Sequence, residues 1–190
     1  MTITLEQLVL KYKSRDLSGQ DIVALTGKPA VLYSDLRKYR SLEQLCGKER
    51  ACIVLYQTSE KTEGHFVCLS IGRNGVARFV DPYGLANGTE KIYGASYDAN
   101  MPRYIDNFLA PYKARDMFEQ SKIDYQAKNP NVSTCGRWSS IFFLWKDLSL
   151  VEIQHLLLYN KDPFMSNTDN CAVLLTLLGL SNIREFFEKN

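Results

Sequence analysis

A thiol becomes a working nucleophile when a nearby base can take its proton and a third group holds that base in place. The chain offers five cysteines, Cys46, Cys52, Cys68, Cys135 and Cys171, and only two histidines, His65 and His155. Cys135 has the most suggestive setting. Polar Ser133 and Thr134 precede it, Gly136 follows it, and an apolar stretch running to Trp145 begins there. A thiolate at a helix N-terminus is favoured by the positive end of the helix dipole. Gly136 lets a neighbouring backbone or a substrate come close. The ordinary role of a free cysteine is that of a small buried apolar side chain. That is the reading for Cys52, Cys68 and Cys171, which sit inside apolar runs; Cys46 reads as a surface or loop cysteine.

His155 lies at helical spacing among Ile153, Leu156 and Leu158 and reads as a partly buried helix residue. His65 stands at the mouth of an apolar run, just after Gly64 and a polar loop, where strand meets loop and catalytic groups concentrate. Asp81 ends the next apolar run. If those two runs form a hairpin, His65 and Asp81 are neighbours. The carboxylate would then take one imidazole nitrogen and leave the other as base. Alone, Asp81-Pro82-Tyr83-Gly84 is simply a turn. Gln126 precedes Cys135 and is a candidate donor to an oxyanion, together with the Cys135 backbone N–H. Asn129 and Asn131 are rival donors in the same loop.

The elements that must bring these residues together are legible in outline. Leu5, Leu8, Val9 and Tyr12 share a helical face. Residues 30–33 read as a short strand, with Ser34 and Asp35 capping a turn that starts at Leu36. Residues 51–56 are apolar throughout, as a strand buried on both faces would be. Residues 65–71 and 76–80 read as strands joined through Asn74-Gly75. A helix is expected from Tyr104 to near Pro111, and a brief alternating strand at 123–126. Three apolar helical stretches follow, at 135–145, 150–159 and 171–180, the first apolar nearly all round. Strands followed by helices point to an α+β fold: a central mixed sheet flanked by helices, with Cys135 opening a buried central helix.

At 190 residues, with 45% hydrophobic and 23% charged residues, the chain reads as one domain, 1–190, able to bury a core without disulfide or metal staples. A net charge of +2 gives no strong nucleic-acid signal. There is no CxxC pair, no phosphate-binding glycine loop, no membrane-length apolar run and no signal peptide. No cofactor and no metal are expected. The odd number of scattered cysteines points to a reducing, intracellular site of synthesis.

The order Gly64-His65-Phe66, Phe79-Val80-Asp81-Pro82-Tyr83-Gly84, Tyr125-Gln126, Thr134-Cys135-Gly136, then an apolar helix, resembles the adenain-like cysteine proteases. That group contains the adenovirus maturation protease and the SUMO-specific proteases. The look is closest to capsid-maturation proteases of virophages and polinton-type elements, over roughly residues 50 to 147. Two departures stand: Phe66 where the family often has Trp, and a longer span from Gln126 to Cys135. By matching position, the resemblance implies Cys135 as nucleophile, His65 as base, Asp81 as its orienting acid and Gln126 as oxyanion donor. It implies a viral endopeptidase acting on capsid or other structural proteins at the assembly site in the host cell, packaged in the virion, with cleavage next to glycine. Phe66 and Tyr83 would wall a narrow slot. The adenovirus relative uses a peptide cofactor and DNA, and the resemblance leaves such an activator open here. A ubiquitin-like-protein protease or acyltransferase on host proteins, and a non-catalytic module on the same fold, are the alternative expectations.

Overall fold

The computed structural model describes residues 4–57, 64–88, 102–158, 164 and 166–179. Its centre is a mixed five-stranded sheet in the order β1 (Val31–Leu32), β2 (Ala51–Gln57), β3 (Gly64–Ile71), β4 (Ala77–Val80) and β5 (Phe118–Gln120). The central strand β3 pairs antiparallel with β2 and with β4, and β1 and β5 flank these as parallel partners of β2 and β4. The described helices are α1 (Leu5–Lys13), α2 (Gly19–Thr26), α3 (Leu42–Cys46), α4 (Tyr104–Lys113), α5 (Cys135–Leu144), α6 (Leu150–Leu158) and α7 (Thr168–Gly179). The fold is α+β, as the pattern of strands and helices indicates.

Every residue of β2 is buried, which explains why its sequence is apolar without alternation. Its two sets of side chains enter two different cores. Ile53 and Leu55, with Phe66, Cys68 and Val80, pack against Trp138, Ile141 and Phe142 of α5. Cys52, Val54 and Tyr56, with Val67, Leu69 and Phe79, pack against Leu36, Leu42, Ile105, Phe108 and Leu109 on the other side. The sheet is therefore the middle of three layers, and α5 is buried along most of its length. A third cluster joins Leu8 and Val9 of α1 to Val173 and Leu177 of α7.

Several expectations are corrected. Strand β1 covers only Val31 and Leu32; Tyr33–Lys38 is a 3-10 helix whose N-cap is Leu32, with no side-chain cap from Ser34 or Asp35. The α4 helix runs through Pro111 to Lys113, because a proline near the last turn lacks only one late hydrogen bond. No strand forms at 123–126. Only an isolated bridge from Asp124 to Tyr83 does, and β5 lies earlier, at Phe118–Gln120. On the helical face shared by Leu5, Leu8, Val9 and Tyr12, Leu8 and Val9 are buried while Leu5 is half exposed. Cys46 is buried rather than on the surface, its Sγ 3.7 Å from that of Cys52. The expected ends of the last two helices at 159 and 180 lie outside the described residues.

A candidate cysteine-nucleophile site

The β3–β4 pairing fixes the site. Cys68 faces Val80 across the two strands, so continuing that register sets Tyr83 opposite His65 and Asp81 on the diagonal. Both relations are realised. The Tyr83 and His65 rings stack with centroids 4.7 Å apart and planes 14° from parallel. His65 Nε2 lies 2.7 Å from Asp81 Oδ1. That same carboxylate oxygen accepts the Tyr83 backbone N–H at 2.8 Å, closing the turn that Asp81-Pro82-Tyr83-Gly84 was read to form. The turn and the orienting acid are therefore one structure. Asp81 is fully buried, and its Oδ2 has no hydrogen-bond partner among the described residues.

Cys135 is the other group, besides Asp81, that acts on the His65 ring strongly enough to raise its pKa. With Nε2 held by Asp81, Nδ1 is the ring nitrogen left for another partner. Burial opposes charge on this ring, but the hydrogen bonds to Asp81 and Cys135 and the negative charge of both outweigh it, raising the His65 pKa from 6.5 to about 9. The imidazolium form is thus stabilised between two acidic partners. His65 is only 4% exposed, which keeps that pairing strong.

Cys135 is the first residue of α5, and the helix starts without a side-chain cap. Thr4, Ser18 and Ser41 each cap their helices from extended backbone, with ψ between 158° and 166°. Thr134, the N-cap of α5, has ψ of 3°. Its hydroxyl instead donates to the buried carboxylate of Asp169 on α7. The first N–H groups of α5 are thereby left open beside the thiol, which suits them to receive a developing oxyanion. Close packing holds the turn: a Cβ on Gly136 would sit 3.3 Å from both Leu17 Cβ and Phe66 Cδ2. Gly136 thus gives room to the side chains of Leu17 and Phe66, where a neighbouring backbone or a substrate was the expectation.

Gln126 is buried. Its Nε2 donates to the Val132 carbonyl at 2.9 Å and to the Tyr83 hydroxyl at 3.0 Å. Turning the amide over would set its oxygen against the Val132 carbonyl, so the nitrogen must face this way. The long span to Cys135 is taken up by a turn in which Val132 N–H donates to Asn129, which brings the chain back over the Gln126 amide. The Tyr83 ring thus connects Gln126 to His65. Burial, then the negative charges of Cys135 and Asp81, raise the Tyr83 pKa, keeping its phenol protonated. Asn129 and Asn131 lie on the exposed outside of the loop, Asn129 Oδ1 accepting the Asn131 N–H.

His155 is exposed on α6 rather than partly buried. Cys52, Cys68 and Cys171 are buried, as their apolar surroundings suggested, and burial raises the pKa of each. Phe66 is buried against Gly136, not a free wall, and it lines a groove of about 550 Å³ with Leu17, Val23, Pro29, Ala30 and Leu32. Sequence reading missed Asp169 and Thr134. An acid in the first turn of an apolar helix is a readable signal, but its partners 35 and 42 residues away are not. Among the described residues, no cluster of three or more His, Cys, Asp or Glu could hold a metal, and no helix is long and apolar enough to cross a membrane.

The chain is similar to a virophage protein. It is 28% identical over 152 residues to uncharacterized protein V9 of Sputnik virophage, a match spanning 75% of this chain and 83% of that protein. No protein-family model matches the chain.

Proposed function

We propose that this protein is a viral cysteine endopeptidase that cleaves capsid or other structural proteins, as the resemblance to adenain-like proteases implies. One observation carries the reading: a buried imidazole bonded through one nitrogen to buried Asp81, with Cys135 opening a buried helix close enough to help raise the His65 pKa. The likeness to a virophage protein supports a viral rather than a host setting.

In this reading, Cys135 is a thiolate paired with the His65 imidazolium. The sulfur attacks the scissile carbonyl carbon, and the negative charge moves to the carbonyl oxygen. The Cys135 backbone N–H and Gln126 Nε2 receive that oxyanion, the amide exchanging its bond to Tyr83 for one to substrate. As the C–N bond breaks, His65 gives its proton to the leaving amine, and a thioester remains on Cys135. Neutral His65 then takes a proton from water, whose oxygen attacks the thioester. The acid product leaves and the thiolate–imidazolium pair is restored. Asp81 holds the ring throughout and stabilises its charged form. The apolar groove beside Phe66 and Leu17 suits an apolar substrate side chain upstream of the cut, with glycine at the crowded approach to the thiol.

A peptide ending in glycine and carrying a thiol-reactive group tests this reading. It should label Cys135 alone, and labelling should collapse in His65→Ala. Equal labelling of several cysteines, or labelling indifferent to His65, would overturn it.

A further inference from the structure

Asp169 lies at the start of α7, far along the chain from Gln126 and Cys135, yet its side chain is 1% exposed and joins two parts of the site. One carboxylate oxygen accepts the hydroxyl of Thr134, the residue before the nucleophile. The other accepts the backbone N–H of Ala127, the residue after Gln126, at 3.0 Å. Next to it, Thr168 Oγ1 donates to the Tyr125 carbonyl at 2.6 Å. The first turn of α7 therefore grips the 125–134 loop on both sides of Gln126 and again at its junction with α5.

We infer that Asp169 is a positioning residue that sets the oxyanion site, building on the protease reading above. Its bond to Thr134 holds that residue in the conformation that leaves the α5 N-terminus uncapped, so the Cys135 N–H stays open. Its bond to Ala127 fixes the backbone from which the Gln126 amide projects. Neither bond touches His65 or Asp81, so Asp169 acts on the oxyanion donors rather than on the His65–Asp81 pair. The two N–H donors for the oxyanion come from segments that α7 ties together through one carboxylate.

The test separates oxyanion positioning from thiolate formation. Alkylation of Cys135 by iodoacetamide needs the thiolate but no oxyanion site, whereas peptide cleavage needs both. Losing one oxyanion donor typically slows turnover on the order of 100- to 1000-fold. Displacing both partially, Asp169→Ala should lower kcat by roughly 10- to 100-fold with KM changed less than about threefold. The alkylation rate and its pH profile should stay at the wild-type values. A peptide aldehyde, whose adduct carries the oxyanion, should lose affinity in parallel with kcat. Asp169→Asn should recover most of the loss, because an amide can accept from Ala127 N–H while donating to the Thr134 hydroxyl oxygen. If Asp169→Ala does not fold, Thr134→Val removes one of the two tethers and should show the same pattern at smaller amplitude. Loss of alkylation together with cleavage would mean a merely structural role and overturn the inference, as would unchanged kcat in both variants. Wild-type protein that alkylates but cleaves no peptide would instead refute the protease reading.

Discussion

Replacing Asp81 by Asn changes one charge at a site with no solvent to absorb it. The His65 pKa lies at about 9 against an ordinary 6.5, which at 1.36 kcal/mol per unit corresponds to about 3 kcal/mol favouring the imidazolium. Burial acts against that charge, and the Asp81 and Cys135 contacts more than offset it. In a pair like this the folded pKa is raised, so its stabilisation is fully present below pH 6.5 and is lost as pH rises through about 9. Asparagine keeps an oxygen for His65 Nε2 and the Tyr83 N–H, but it removes the charge. It also puts an N–H₂ where Oδ2 has no partner, adding roughly 1–3 kcal/mol of unfavourable burial to the folded state. If between half and all of the 3 kcal/mol is lost, kcat/KM falls between about tenfold and about 200-fold. The assay is kcat/KM on a glycine-containing peptide from pH 5 to 10, beside iodoacetamide alkylation over the same range. In the wild type, cleavage should fall above about 9 as the general acid is lost, while alkylation should not. In Asp81→Asn the alkaline limb of cleavage should move down by about one unit or more. A limb that stays where the wild type has it would refute the claim that Asp81 holds the His65 proton.

Gln126→Ala should lower kcat on the order of 100- to 1000-fold with little change in KM, whereas Asn129→Ala and Asn131→Ala, both on the exposed loop surface, should leave it unchanged; the reverse would move the donor. In a peptide library, glycine before the cut should be cleaved far faster than alanine, leucine or phenylalanine, and equal turnover would remove the slot. Trp138 is fully buried against Tyr125 and Phe142, so Trp138→Ala should cost about 3–5 kcal/mol in urea unfolding, and a loss below about 1 kcal/mol would contradict the packing of α5 as the central helix.

The catalytic candidates were readable because each sits at an element boundary that the sequence marks. Gly64 and the polar loop mark the start of β3, Asp81-Pro82 the end of β4, and the switch from Ser133-Thr134 to an apolar run the start of α5. Asn74-Gly75 joins β3 to β4, and the register then puts Asp81 within reach of His65. β5 was missed because it is three half-buried residues paired on one side by a parallel partner, which leaves no alternation to read. The alternation at 123–126 has no ladder behind it: its two apolar residues do not share a face, Tyr125 being buried and Ile123 exposed. Cys46 was misplaced because its burial comes from β2 and β3 packing over a short helix, a tertiary contact. Asp169 stayed hidden for the same reason: its role exists only once α7 is docked on the loop before Cys135.

Whether Cys135 cuts peptide bonds in viral structural proteins is tested most directly by incubating the purified wild type and Cys135→Ala with virophage coat proteins and reading new chain termini by mass spectrometry. New termini next to glycine are expected with the wild type and none with Cys135→Ala, while both proteins melt at similar temperatures. The same new termini with both proteins, or none with a wild type whose Cys135 alkylates readily, would contradict that expectation.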